Sequence, residues 1–223
     1  MRTQTKETQS QLTPQKAIEI LTEGNKRFVN NLKANRNLLQ QVNETSTGQH
    51  PFAIILSCID SRTSAELIFD QGLGDIFSAR IAGNIVNEDI LGSMEFACKV
   101  AGSKLIVVLG HTKCGAIKGA CDHVEMGNLT GLVKKIEPSV NTVETKGDRT
   151  SANAEFVEKV AEANVHRMLD EVESKSEILR EMIKNGEIGI VGGMYDVETG
   201  AVDFYDHTFN KNGALNEEFA GKH

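Results

Sequence analysis

Residues 105–114 read Leu105-Ile-Val-Val-Leu-Gly-His-Thr-Lys-Cys114. The first six form a short, continuous apolar run, which is how a strand covered on both faces reads. The run passes directly into a histidine and, three residues later, a cysteine. A second run of the same kind, Phe52-Ala-Ile-Ile-Leu-Ser57, leads directly into Cys58-Ile-Asp-Ser-Arg62. Further strands are expected at 75–80, 187–195 and, after a turn at 197–200, 201–205. Helical spacing of apolar residues predicts helices over about 14–32, 64–71, 87–100, 115–126 and 154–185, the last with a break near Ser174. Alternating strands and helices make an α/β fold, a mainly parallel β-sheet flanked by helices. Thr13-Pro14 supplies an N-cap and first position for an N-terminal helical arm. Residues 1–13 are expected as a loose polar arm, and the Asn-rich residues 35–49 as a long draping connection. There is no repeat or clear linker, so residues 1–223 are read as one domain.

The composition excludes several classes of function. The chain has 24 Lys and Arg against 31 Asp and Glu, a formal charge of −7. That balance argues against a general nucleic-acid or anionic-membrane binder, which needs a basic face. No apolar run approaches the roughly 20 residues of a membrane span. The polar N-terminus, residues 1–15, has no signal-peptide core, so the expected location is cytoplasmic. Four Cys are too few for a disulfide scaffold at this length and read as free thiols or metal ligands. Gly72-Leu-Gly74 begins a dinucleotide fingerprint, but Phe77 stands where the third glycine belongs.

In open α/β sheets, ligands bind beyond the carboxyl ends of the strands. Cys58, His111 and Cys114 all fall there. Two thiolates and an imidazole suit Zn²⁺, and three protein ligands leave a fourth position of the kind catalytic zinc keeps open. Asp60 is near enough in sequence to reach that position or a water on it. Arg62 is placed to fork onto the Asp60 carboxylate. Cys98 and Cys121 fall within expected helices at core-facing positions and are read as buried thiols. A closed, structural zinc site is the competing reading.

Taken together, Cys58-x-Asp60-x-Arg62 and His111-x-x-Cys114, about 50 residues apart, resemble the zinc signature of the β-class carbonic anhydrases. Gly115, Arg80-x-x-x-Asn84 and Gly192-x-x-Tyr195-Asp196 fit the same family, and the likeness runs from the first helix to about Tyr205. The resemblance implies reversible hydration of CO₂ to bicarbonate and a proton by a zinc-activated hydroxide, with one Zn²⁺ per chain on Cys58, His111 and Cys114. It makes Asp60 and Arg62 a catalytic dyad, with Asp60 as a fourth ligand only in an inactive form. It assigns the substrate pocket to Gln49, Phe77, Ala82, Phe96 and the Gly115 N–H. Gln49 and Phe77 match the plant-like variant, whereas Phe96 replaces a Tyr and Ala82 a larger apolar residue. Ile55 occupies the position where the other variant has a Trp of its bicarbonate-inhibition site, so Arg80 and Tyr195 are read as structural. The implied assembly is a homodimer or a multiple of dimers, with a tetramer expected. CS₂ or COS hydrolysis on the same scaffold is the nearest alternative, since relatives with this metal set select substrate through their access tunnels.

Overall fold

The two apolar runs form the middle of the sheet. In a computed structural model describing residues 3–209, β1 (Ala53–Ser57) and β3 (Leu105–His111) are buried along their whole lengths. They lie side by side in a five-stranded sheet with β2 (Ile76–Arg80), β4 (Gly189–Tyr195) and β5 (Val202–Phe204), in the order β2-β1-β3-β4-β5. Every pairing is parallel except β4 with β5. The expected α/β architecture is therefore the observed one.

The period-two geometry of a strand divides the core into two layers. Ile54, Leu56, Ile106, Val108 and Ile190 face one side. There they meet α5 (Glu88–Glu95), α6 (Gly115–Cys121), α9 (Ala154–Lys175) and α10 (Glu177–Lys184). Ala53, Ile55, Leu105, Val107, Leu109 and Val191 face the other side, against Ala17, Ile18 and Leu21 of α2 (Pro14–Val29). The remaining helices are α1 (Lys6–Ser10), α3 (Leu38–Thr45), the one-turn α4 (Ala65–Ile68), α7 (Gly127–Val133) and α8 (Glu137–Thr142). Close approach of α9 to the sheet needs missing side chains. A Cβ on Gly110 would stand 2.7 Å from Val165 Cγ2, and one on Gly192 2.8 Å from Val165 Cγ1.

Several boundaries differ from expectation for identifiable reasons. The described part of the N-terminal arm is not loose. Thr5 caps α1, and the buried Gln9 amide donates to Pro51 O at 2.7 Å and Ala101 O at 2.8 Å. Residues 35–49 contain a helix, α3, capped by Asn37. The segment leading into it is fastened where Asp70 pairs with Arg27 and Arg36, each at 2.6 Å. The expected helix over 115–126 stops at Cys121, because His123 adopts a left-handed φ of 51°. The polar residues 134–153 still form α8, with Pro138 in its first turn. The long C-terminal helix breaks at Ser176, whose hydroxyl caps α10 at Leu179 N. Residues 96–100 of the helix expected over 87–100 continue α5 as a π-helical turn. Among the described residues no helix is long and apolar enough to cross a membrane.

Candidate metal centre and active site

β1 and β3 are parallel neighbours, so the segments that follow them leave the same edge of the sheet together. Residues 58–63 and 111–114 thereby bring Cys58, His111 and Cys114 into one buried cluster. Their ligand atoms lie within 4.8 Å of one another, and the two sulfurs are 4.0 Å apart. His111 Nδ1 is 2.9 Å from Thr112 O. A carbonyl only accepts, so Nδ1 carries the proton and the lone pair is left on Nε2. That Nε2 is buried and has no partner among the described residues. An orphaned imidazole nitrogen facing two sulfurs, in a pocket of this size, fits a tetrahedral zinc donor set.

The charges agree with this reading. The hydrogen bond from Cys114 draws the Cys58 thiol down, against the effect of burial and with help from the Gly83 N–H. The resulting negative sulfur, together with burial, pushes Cys114 upward. Two sulfurs so close cannot both ionise without a cation between them, which is what a divalent metal supplies. The other two thiols behave as core groups: burial pushes Cys98 up to about 12 and Cys121 to about 11.

Beside the cluster, Arg62 closes a fork onto Asp60. Nε donates to Oδ1 at 2.9 Å, Nη2 to Oδ2 at 2.8 Å, and the Arg62 backbone N–H to Oδ1 at 3.0 Å. The Arg62 bonds hold the Asp60 carboxyl well below the usual carboxylate range, outweighing its partial burial. Oδ1 accepts two N–H groups and its lone pairs are spent, while Oδ2 accepts one from Arg62 and retains one. Arg80 reaches over from β2 and grips the same loop. Its Nε donates to Cys58 O at 3.0 Å, and its Nη2 to Asp60 O at 2.6 Å and Thr63 Oγ1 at 3.3 Å. These bonds tie the Arg80 guanidinium into the backbone of the loop.

The pocket residues named from sequence are dispersed within one chain. Gly115 opens α6 directly after Cys114, beside the cluster. Ala82 is half-buried and immediately precedes Gly83, whose N–H points at Cys58 Sγ from 3.4 Å. Gln49 is exposed in the loop after α3. Phe77 and Phe96 meet edge to face at 6.2 Å and line a groove of about 710 Å³ with Ile54, Ala79 and Gly92. Phe77 is in register with Ile54, four residues before Cys58, so its backbone lies roughly 13 Å along the strand from that ligand. Gly83 was not singled out from sequence, although the Arg80-x-x-x-Asn84 stretch contains it. Asn164, whose Nδ2 donates to Gly83 O, carried no signal beyond being a polar residue on an apolar helix face.

A sequence profile described as carbonic anhydrase matches residues 53–202. Carbonic anhydrase 2 of Mycobacterium tuberculosis (strain H37Rv) is 37% identical over 205 residues, covering 88% of this chain and 95% of the relative. Among solved structures, the β-carbonic anhydrase CafA of Aspergillus fumigatus is 27% identical with a TM-score of 0.65, covering 75% of this chain and 81% of that one. A structure from Sordaria macrospora, described as one of two tetrameric β-carbonic anhydrases, shares the fold. Its TM-score is 0.63 at 22% identity, covering 74% of this chain and 89% of that one.

Proposed function

The chain belongs to the β-class carbonic anhydrases, and on that premise we propose that it catalyses zinc-dependent, reversible hydration of CO₂ to bicarbonate and a proton. The observation that carries the proposal is the pairing of a three-donor cluster, with its orphaned His111 Nε2, and a carboxylate tied back by Arg62. Cys58, His111 and Cys114 would hold one Zn²⁺. Zinc in such a site acts as a Lewis acid and lowers the pKa of bound water to about 7.

The protein's own part is orientation. Arg62 keeps Asp60 ionised and occupied in the fork, outside the three-donor cluster, which would leave the fourth position to water. The remaining lone pair on Asp60 Oδ2 would accept an O–H of the attacking water and so orient it toward CO₂. The Gly115 N–H, at the start of α6 and not used by the helix ladder, would donate to a substrate oxygen, with Gln49 as a second donor. Ala82 would shape the pocket beside Cys58. Phe77 stands too far along β2 to wall this chain's own pocket, and Phe96 packs against it. They suit the pocket of a second copy, which supports a homodimer or a tetramer built from dimers. Four unpaired cysteines support a reducing compartment, which we read as the cytoplasm.

Stopped-flow CO₂ hydration, run beside CS₂ and with metal analysis, tests the proposal. Wild type should hydrate CO₂ and carry one zinc per chain. Cys58→Ser and His111→Ala should lose both. Full activity in metal-stripped protein, or turnover of CS₂ alone, would overturn the reading.

A further inference from the structure

Asn164 is fully buried on the face of α9 that otherwise presents Val160, Ala161 and Met168 to the core. A primary amide in such a place is costly unless both ends are bonded. Both are. Nδ2 donates to Gly83 O at 2.9 Å, and Oδ1 receives the Ser139 hydroxyl at 3.2 Å. The amide orientation follows from chemistry, since the Gly83 carbonyl accepts only from the nitrogen end. Gly83 and Asn84 are consecutive left-handed residues, with φ of 69° and 41°. Such a pair does not hold itself in place, least of all with a non-glycine member. Its outer anchor is Asn164. The product of the conformation is the Gly83 N–H directed at Cys58 Sγ.

We infer that Asn164 is a positioning residue for the Cys58 ligand, acting through the Gly83 backbone and itself oriented by Ser139. The bond Gly83 gives the sulfur fixes the lone pair left for the metal and withdraws charge from it. Partners of this kind tune a metal site without touching the ion. The inference rests on the reading of Cys58 as a metal ligand.

Cobalt(II) substitution tests it, because thiolate ligation gives a sulfur-to-metal charge-transfer band, and transfer of zinc to a chelator gives an independent rate. Asn164→Ala should shift the charge-transfer band and release zinc roughly tenfold faster. Ser139→Ala should move both in the same direction by less. Val160→Ala makes a cavity on the same helix without the link, and should leave the band where it was. An unshifted band in Asn164→Ala, or an equal shift in Val160→Ala, would overturn the inference. If Asn164→Ala does not fold, Ser139→Ala decides: a shifted band supports the link and a wild-type band refutes it. Failure of the wild-type protein to bind cobalt or zinc at all would instead refute the metal reading on which the inference stands.

Discussion

The two segments that deliver the metal donors are held in opposite ways. Residues 111–114 are pinned from outside by other elements. Thr112 N–H donates to Tyr195 O and its hydroxyl receives Val197 N–H, while the strained Lys113 (φ 57°) gives its N–H to Glu158 of α9 at 2.9 Å. Residues 58–63 are tied largely to themselves, by Thr63 to Cys58 O and by Arg62 to Asp60, with Arg80 clamping their backbone from β2 and the Gly83 N–H reaching the Cys58 sulfur. The contrast separates two tasks. One segment is a fixed frame for His111 and Cys114. The other carries a donor and, two residues on, the Asp60 carboxylate, which the proposed function requires to keep its orientation.

Asp60→Asn breaks the comparison most sharply. It should retain zinc and the fold, yet lose about 10²-fold or more in CO₂ hydration, because an amide cannot accept as the carboxylate does. Equal loss of zinc, measured by metal analysis, would mean that the two tasks are not separable. Arg80→Ala comes next. It frees the carbonyls of Cys58 and Asp60, and should cost about 1 kcal/mol. At this size that lowers Tm by about 2–4 °C, with a fall in activity smaller than that of Asp60→Asn. An unchanged Tm and rate would show that the first loop holds itself without its clamp.

A pH profile sharpens the same contrast. The folded-state pKa of Asp60 is lowered, so its pairing with Arg62 is complete above the ordinary carboxylate range and lost only as pH falls below it. The activity of wild type between pH 6 and pH 9 should therefore show no titration assignable to Asp60. A limb in that window that vanishes in Asp60→Asn would contradict this. The smallest effect belongs to Glu198→Ala. Its pair with Lys113 is exposed on both sides, and exposed pairs contribute little. Tm should stay within about 2 °C and zinc content unchanged, since backbone bonds carry the second segment. A larger loss would transfer the pinning to that surface pair.

Much of this was legible in the residues. Continuous apolar runs gave the central strands, because strands covered on both faces cannot tolerate polar alternation, and the donors stood directly at their ends. What was not legible depended on partners distant in sequence. The helix over Leu38–Thr45 was read as a connection because only Gln41 is buried there, and Leu38, Leu39 and Val42 remain exposed. The π turn after Glu95 leaves no compositional trace. Asn164 acquires meaning only from Gly83, 81 residues away. The motif names Phe77 and Phe96 singly; their packing together, and the distance of Phe77 from the ligands, follow from the fold and the strand register and not from motif spacing.

The close seat of α9 on the sheet has a consequence for how the two segments move. Val165 rests on Gly110, the residue before His111, and its neighbour Asn164 bonds the backbone beside Cys58. Adjacent residues of one helix differ by 1.5 Å of rise and a fixed rotation. The distance between the two donor-bearing segments is thus gauged by a single rigid body that touches one and reaches the other through Gly83. Thermal displacement of α9 carries the pair together instead of prying it apart, so the separation of the sulfurs and the imidazole is insulated from motions of the helical layer as a whole.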